Sequence, residues 1–205
     1  MSAAAETQGG DDLLPGFRDP VHGAQRTFRM LLQAMARPGR PQRCAEELTA
    51  PPPLQPAMTA LCLTLADADT PLWLSPRLAG GAAVRYLRFH CGAPMLDAPR
   101  AATFALADAG EAPPLGELAA GEDRYPDRSA TLVIEVPGFE AGGERGWTLR
   151  GPGIERTARL AVDGLPADFS TQWRRNGGLF PQGVDVILTC GTRLVALPRT
   201  TAVEG

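Results

Sequence analysis

Residues 184–190, VDVILTC, are the stretch of this chain that says most about its fold. A near-continuous apolar run of this length is typical of a strand that is covered on both faces. Residues 192–198, TRLVALP, predict a second strand, and Cys190-Gly191 joins the two. The C-terminal part of the chain therefore predicts paired strands inside a layered structure.

The region before this pair is also rich in strand patterns. Residues 131–139, TLVIEVPGF, predict one strong strand, and GGERGW after it marks a turn. Residues 147–154 and 154–162 then predict a second and a third strand, so that a hairpin or a meander is expected here. Two shorter extended runs, TPLWLS and AATFALAD, lie nearer the N-terminus.

The clearest helix is predicted in DPVHGAQRTFRMLLQAMARPG, residues 19–39. Asp19 can cap the free amides and Pro20 suits the first helical position. An apolar stripe recurs at helical spacing and is expected to face the core: Val21, Ala24, Phe28, Leu31, Leu32 and Met35. The other face carries Gln25, Arg26, Arg29 and Gln33, and it is either a solvated face or, through Arg29, a functional one.

Three further helices are expected. AMTALCLTLADAD predicts a buried helix, GAAVRYLRFH predicts a helix with Val84 and Leu87 inward, and ADFSTQWRRNG predicts a short one. Helices interspersed with strands favour an α/β or α+β fold, and we expect an α/β fold with a mixed sheet covered by helices. We expect one domain at residues 15–205, ordered from near Phe17, after a mobile lead-in at residues 1–14.

Composition excludes several classes of function. The chain has 205 residues with a net charge of −3, so a nucleic-acid partner is not expected. It carries neither a signal peptide nor a long apolar span, which indicates a cytoplasmic protein without a membrane partner. All 20 basic residues are arginine, so no lysine is present to form a Schiff base with pyridoxal phosphate or to serve a phosphate loop. A genome rich in G and C explains the same bias.

Few groups could carry catalysis or hold a metal. The two histidines lack metal-ligand spacing, and the four cysteines form no C-x-x-C pair, so no metal site is predicted. Cys91 is expected at the C-terminal end of a helix, where the dipole disfavours a thiolate. Asp67 and Asp69 fit turn chemistry better than Mg²⁺ binding. No catalytic residue is assigned.

Two places could bind an anion or a partner. Arg88 and His90 lie at the predicted end of a helix, where a structural histidine is the commoner outcome. Arg199 and Thr200 follow a strand directly and could hold phosphate oxygens through charge-assisted bonds. The alternative for Arg199 and Thr200 is a polar strand end without a ligand.

Five blocks of sequence, in this order, resemble the family of H subunits of the bacterial carbon-phosphorus lyase core complex. They are FRDPVHGAQRTFRMLLQAMARPG, LTLADADTPLWLS, LRFHCGAPM with AATFALAD, TLVIEV, and FPQGVDVILTCGTRLVALPRTT. With their spacers they cover the chain from about Phe17 to Glu204. The longer acidic N-terminus and the proline-rich spacer around residues 51–53 depart from the family pattern.

The resemblance implies a subunit in phosphonate catabolism that assembles with the G, I and J subunits and forms a homodimer by itself. The family's pathway makes ribose 1-alkylphosphonate 5-triphosphate from ATP and an alkylphosphonate. The implied fold resembles the large domain of pyridoxal-phosphate-dependent transferases without that cofactor. No cofactor is expected in this chain, whereas ATP with Mg²⁺ is a possible substrate of the complex.

The resemblance assigns no catalytic residue, and no activity is expected of the isolated chain. The positions that match family motifs and could touch an anion or a partner are Gln25, Arg29, Arg88, His90, Arg199 and Thr200. Two classes of function stay open. The subunit either contributes side chains to binding nucleotide or phosphonate, or is purely structural, without substrate contact.

Overall fold

Two β-sheets and four α-helices make up the fold in the computed structural model, which describes residues 13–44, 48–143 and 145–205. The strands are β1 (Gln42–Arg43), β2 (Leu72–Leu74), β3 (Met95–Leu96), β4 (Phe104–Asp108), β5 (Thr131–Glu135), β6 (Phe139–Ala141), β7 (Trp147–Arg150), β8 (Ala158–Val162), β9 (Asp185–Cys190), β10 (Arg193–Leu197) and β11 (Ala202–Glu204). The helices are α1 (Pro20–Ala36), α2 (Pro56–Leu65), α3 (Gly81–Cys91) and α4 (Phe169–Gly177). Short 3-10 helices lie at Pro99–Ala101, Ala109–Glu111, Leu115–Glu117 and Pro126–Arg128.

The larger sheet has seven strands in the order β1-β10-β9-β5-β4-β2-β3. The pairs from β9 to β3 are parallel, whereas β10 and β1 are added antiparallel. β9 and β10 are joined by the two-residue turn Gly191-Thr192, in which Gly191 has a φ of +60°. This is the mixed sheet that the sequence predicts, and its two C-terminal strands pair as expected.

Both faces of the larger sheet are buried, as the apolar run in β9 predicts. In β5, Leu132 and Ile134 belong to one apolar cluster and Val133 to another on the opposite face. Because successive side chains of a strand point to opposite faces, this alternation separates two core layers. α1, α2 and α3 cover one face, while α4 and the second sheet cover the other.

The second sheet adds to the mixed sheet that the sequence predicts. It has four antiparallel strands in the order β11-β7-β8-β6. The stretch TLVIEVPGF is not one strand, because β5 ends at Glu135 in the larger sheet and β6 starts at Phe139 in the second one. Pro137 between them has no N–H to offer a strand ladder, so the chain changes sheet there. Of the three strands predicted within residues 131–162, the second and third form the expected hairpin as β7 and β8.

The buried face of α1 only partly matches the predicted one, since Leu31 is buried and Ala24 and Met35 pack on the core as expected. The Asp19 carboxylate accepts a hydrogen bond from the His22 amide, so the predicted cap is confirmed. The buried residues, however, are Gly23, Thr27, Leu31 and Ala34. A Cβ at Gly23 would lie 2.6 Å from the Phe17 ring, which shows how closely the chain packs on this face. Small side chains therefore decide which face is buried, and close packing outweighs the apolar stripe.

As a result, much of the stripe that was expected inside lies at the surface. Val21 is 75% exposed, Phe28 45% and Leu32 50%. Large apolar side chains that stay exposed on one face of a helix are typical of an interaction surface. We call Val21, Phe28 and Leu32 the α1 stripe.

The N-terminal segment packs on α3 from Leu14 onward. The Tyr86 hydroxyl donates to the Pro15 carbonyl, and the His90 ring lies 3.0 Å from the Leu14 carbonyl through Nε2. Residues 1–12 of the predicted lead-in lie outside the described residues. Across the described ranges, no helix is long and apolar enough to cross a membrane.

Candidate functional site

A crevice of about 440 Å³ opens at the carboxyl ends of β4, β5 and β9. These strands are parallel, so their carboxyl ends meet at one edge of the sheet. The chain places β3 on one side of β2 and β4 on the other, which makes β2 a switch point in the strand order. Open α/β sheets bind ligands at this edge, outside the carboxyl ends of their strands. We call this space the carboxyl-edge crevice.

Asp108 and Arg77 form the charged wall of the crevice. Asp108 is the last residue of β4, and its Oδ2 lies 3.2 Å from Arg77 Nη1. The Arg77 backbone amide donates to the Glu111 carboxylate at 2.7 Å, which holds the start of this loop. The Asp108 amide donates to Ser75 Oγ at 3.3 Å, so the ends of β2 and β4 are tied together. Arg77 itself is 66% exposed and turns part of its guanidinium to solvent.

Glu135 forms the inner wall, at the end of β5. Its Oε2 accepts a hydrogen bond from Thr189 Oγ1 at 2.6 Å, and its Oε1 accepts one from the Gly191 amide at 3.1 Å. Burial raises the pKa of Glu135, and the nearby Asp108 carboxylate adds to the shift, while the hydrogen bonds from Thr189 and Gly191 oppose it. The side chain is therefore fixed in place and easier to protonate than an exposed glutamate.

The crevice is suited to binding hydroxyl groups rather than to bond making. Its carboxylates accept hydrogen bonds, and Arg77 is the cation beside them. Cys190 lines the wall, but its Sγ donates to the Pro137 carbonyl at 3.4 Å. In the described part of the chain, no cluster of three or more histidine, cysteine, aspartate or glutamate residues could hold a metal ion.

Arg199 does not have the free guanidinium that an anion ligand needs. Its Nε and Nη2 donate to the Asp185 carboxylate, and Nη1 donates to the carbonyls of Pro126 and Pro181. The second hydrogen of Nη2 is directed at Ser129 Oγ. An arginine side chain has five N–H donors, so each has a protein acceptor here. The phosphate-binding interpretation of Arg199 does not fit this geometry.

The surroundings of the His90 and Cys91 side chains also indicate a role in the structure of the chain rather than in ligand binding. The His90 ring bonds the Leu14 carbonyl and lies against Tyr86, with ring centroids 4.3 Å apart. Burial raises the pKa of Cys91 to about 11, so its thiol is protonated at neutral pH. The cause of this shift is burial of the thiol, whereas the sequence expectation rested on the helix dipole. Arg88, in the last turn of α3, is exposed.

The predicted candidates are spread over the molecule. Gln25 and Arg29 lie exposed on α1, and Arg88 and His90 lie at the end of α3. None of these four lines the carboxyl-edge crevice. Thr200 is exposed and, with Arg199, borders a separate groove beside α4.

The residues of the crevice were missed by the sequence predictions, although a signal for them exists. Ser75 and Asp108 end the predicted strands TPLWLS and AATFALAD, and Thr189 lies next to the end of VDVILTC, whereas Glu135 lies within the predicted strand TLVIEVPGF. A polar residue that follows an apolar run belongs to the edge where parallel strands end. The signal becomes readable once β2, β4, β5 and β9 are known to be parallel.

Comparison with known proteins gives three matches. A family model described as bacterial phosphonate metabolism protein (PhnH) matches residues 15–204. A protein of Rhizobium meliloti (strain 1021), named alpha-D-ribose 1-methylphosphonate 5-triphosphate synthase subunit PhnH, is 42% identical over 189 residues, which are 92% of this chain and 94% of that protein. A protein of Stutzerimonas stutzeri, named putative C-P lyase subunit protein HtxG, is 30% identical over 184 residues, or 88% of this chain and 85% of that protein.

Proposed function

The chain belongs to the PhnH family of bacterial phosphonate metabolism proteins, and from this we propose that it is a subunit of the carbon-phosphorus lyase machinery. In this role it is required to form ribose 1-alkylphosphonate 5-triphosphate from ATP and an alkylphosphonate. The observation that carries the proposal is the 42% identity to a synthase subunit over nearly the whole of both chains. No activity is assigned to the chain in isolation.

The contribution of this subunit is through contacts with other subunits. Two of the predicted anion-binding side chains, Arg199 and His90, are engaged in contacts within the chain itself. The α1 stripe, in contrast, offers apolar area to a partner. Buried ion pairs and exposed apolar faces support an architectural role more than a role in binding nucleotide or phosphonate with these arginines.

A second candidate function is substrate contact in the carboxyl-edge crevice. Asp108, Glu135 and Arg77 combine hydroxyl acceptors with a cation, which is the chemistry that a ribose bearing an anionic group requires. This candidate differs from the predicted set, because none of Gln25, Arg29, Arg88 or His90 contributes to it.

The fold is proposed to be that of the large domain of pyridoxal-phosphate-dependent transferases. A seven-stranded, mainly parallel sheet with helices packed on it supports this relationship. The chain has no lysine to form the Schiff base, so we propose that it works without that cofactor. ATP with Mg²⁺ is then a substrate of the assembled complex.

The proposed partners are a second copy of this chain and the G, I and J subunits. Val21, Phe28 and Leu32 lie exposed on one side of α1, and a second copy could cover them with the same three side chains. Such a pattern is self-complementary, as a two-fold interface requires. This supports the α1 stripe as the contact of the homodimer.

Copurification of the coexpressed subunits tests the proposal. The chain carries an affinity tag and is coexpressed with the G, I and J subunits of its own source, with an unrelated tagged protein as the control. A stable complex of defined stoichiometry is expected. Purification of the tagged chain without any of the three would contradict the proposed function.

A further inference from the structure

A groove of about 580 Å³ runs between β11 and α4, away from the carboxyl-edge crevice. Trp173, Arg174, Gly177 and Phe180 line it on the helix side. Residues 201–204 line it on the strand side. We call this space the β11 groove.

The groove exposes the backbone edge of β11. This strand is the last one in the order β11-β7-β8-β6, so it pairs with β7 on one side only. All three residues of β11 line the groove, together with Thr201 before them. Since successive side chains of a strand point to opposite faces, only the edge of a strand can present three consecutive residues to one space. The unpaired N–H and C=O groups of β11 therefore border the groove.

α4 runs alongside this edge in the opposite direction. Trp173 Nε1 donates to the Thr201 carbonyl at 2.8 Å, which fixes the middle of the helix on the start of the strand. One turn later, a Cβ at Gly177 would lie 3.9 Å from the Arg199 carbonyl. The helix thus forms a wall opposite the strand and leaves a channel between them.

Two features of the walls indicate that the groove has an occupant. Thr201 is 2% exposed, and its hydroxyl has no hydrogen-bond partner among the described residues. A buried hydroxyl without a partner costs free energy unless a bound group satisfies it. Phe180, on the opposite wall, is 64% exposed although it is a large apolar side chain.

We propose that the β11 groove binds an extended peptide segment of a partner subunit by strand addition. The backbone of the segment pairs with β11, and one of its apolar side chains packs on the exposed ring of Phe180. An edge strand beside a helix is the arrangement in which extended peptides add to a sheet. The inference rests on the proposed function, because it assumes that the chain is a subunit of a complex.

Charge specifies the chemistry of the segment. The last turn of α4 carries Arg174 and Arg175, and neither forms an ion pair with a carboxylate in the described part of the chain. Glu204, at the other end of the groove, is already paired with Arg150 at 3.5 Å. The groove therefore favours an apolar segment with an acidic residue near the Gly177 end.

The β11 strand of a second copy does not fit as the occupant. In a second copy, β11 has its own α4 beside the free edge, so the helix would have to enter the groove with the strand. The segment must therefore present a strand edge that no helix covers.

Hydrogen exchange of the assembled complex tests this proposal. The amides of residues 202–204 are compared between the isolated chain and the complex with coexpressed G, I and J subunits. Strand addition is expected to slow exchange at least about tenfold at those of these amides that point away from β7, because the added backbone accepts their hydrogen bonds. A complex that forms without any protection of these amides would overturn the proposal while leaving the proposed function intact.

Two pairs of variants provide the matched controls. Gly177→Phe fills the groove and is expected to weaken assembly at least about tenfold, whereas Gly177→Ala adds one methyl group at an ordinary van der Waals distance from the Arg199 carbonyl and is expected to leave assembly unchanged. Arg174→Glu reverses the charge of the wall, and Arg100→Glu makes the same change in the 3-10 helix beside β3. A circular dichroism melt of each variant checks folding, and the Arg174 pair remains decisive if Gly177→Phe does not fold.

The other outcomes are equally informative. Equal assembly of Arg174→Glu and Arg100→Glu, together with intact assembly of Gly177→Phe, would overturn the groove as the docking site. Protection of residues 202–204 in the isolated chain that rises with its concentration would assign the groove to a second copy and overturn the proposed occupant. Failure of the wild-type chain to assemble at all would instead refute the proposed function and, with it, this inference.

Discussion

The guanidinium of Arg199 lies on the carboxylate of Asp185, with Nη2 2.6 Å from Oδ2 and Nε 3.2 Å from Oδ1. The Arg199 amide also donates to this carboxylate, at 2.7 Å. Nη1 reaches the carbonyls of Pro126 and Pro181, so the pair joins the start of β9 to two loops. Both side chains are largely buried, at 15% and 16% exposure. The pair stabilises the fold, which explains why Arg199 is not available to a ligand.

Arg199→Ala should lower the free energy of unfolding by about 3 kcal/mol, because it leaves the Asp185 carboxylate buried without its cation. The matched control is Arg150→Ala, which breaks an exposed ion pair with Glu204 and should cost less than about 1 kcal/mol. Urea unfolding of the three proteins measures both values. Equal losses in the two variants would show that the buried pair has no special role.

Phe28→Glu should dissociate the proposed homodimer, since it places a charge at the centre of the α1 stripe. Phe28 is already half-exposed, so the thermal midpoint should change little. Gln33→Glu introduces a charge at an exposed position of the same helix outside the stripe and should leave the dimer intact. Sedimentation equilibrium gives the mass of each form. A Phe28→Glu protein that remains dimeric would place the homodimer contact elsewhere.

Gly23→Ala should destabilise the protein by about 1 to 2 kcal/mol, although alanine is normally the better helix former. The added Cβ would lie 2.6 Å from Phe17, which is buried and must move. Gly177→Ala, in α4, has no atom closer than 3.9 Å and should be neutral or slightly stabilising. Thermal unfolding measures the stability of both variants relative to the wild type. If Gly23→Ala is as stable as the wild type, close packing does not select the buried face of α1.

The wild type should lose stability as the pH rises because Glu135 becomes ionised. The variant Glu135→Gln should not show this loss. Burial raises the pKa of Glu135 in the folded chain above its ordinary value of 4.5, so the unfolded chain releases this proton first. The contribution of Glu135 to stability is therefore complete below pH 4.5 and decreases as the pH rises through the folded-state pKa. Above pH 4.5, the variant should gain stability relative to the wild type.

Urea unfolding of this variant between about pH 4 and about pH 7 measures the effect as a difference in slope. Glutamine can still accept the hydrogen bond from the Gly191 amide, so the geometry of the site is expected to survive. Glu117→Gln, at an exposed carboxylate, is the matched control. Parallel curves for wild type and Glu135→Gln would contradict the assignment of a buried, perturbed carboxyl to the crevice.

Local structure could be predicted from the sequence because its causes are local. The cap at Asp19, the left-handed Gly92 that ends α3, and the apolar run of β9 each depend on neighbouring residues in the chain. Periodicity and end signals are sufficient for such elements.

The errors have causes that lie far apart in the sequence. Which face of α1 is buried depends on Phe17 and on the surface of α2, neither of which appears in the helical pattern. The partners of Arg199 lie as far as 73 positions away in the sequence. The motif PRTT therefore does not show whether the arginine is free to bind a ligand or is paired within the chain. The second sheet depends on which strands pair, and an alternating pattern does not specify the partner strand.

The candidate site was missed for a related reason. Asp108 ends a predicted strand and Glu135 lies inside another, and they come together only because β4 and β5 are parallel neighbours. Arginines and histidines were conspicuous in the sequence, whereas carboxylates at strand ends resemble ordinary turn residues. Parallel pairing, not residue type, brings these carboxylates to one edge.

The measurement that tests the central claim most directly is the formation of triphosphate product from ATP and methylphosphonate by the reconstituted complex, with and without this chain. We predict product only when the chain is present, none from the chain alone, and recovery when the purified chain is added back. Full product formation by the other subunits in its absence, or turnover by the isolated chain, would contradict the claim that it is a required, non-autonomous subunit.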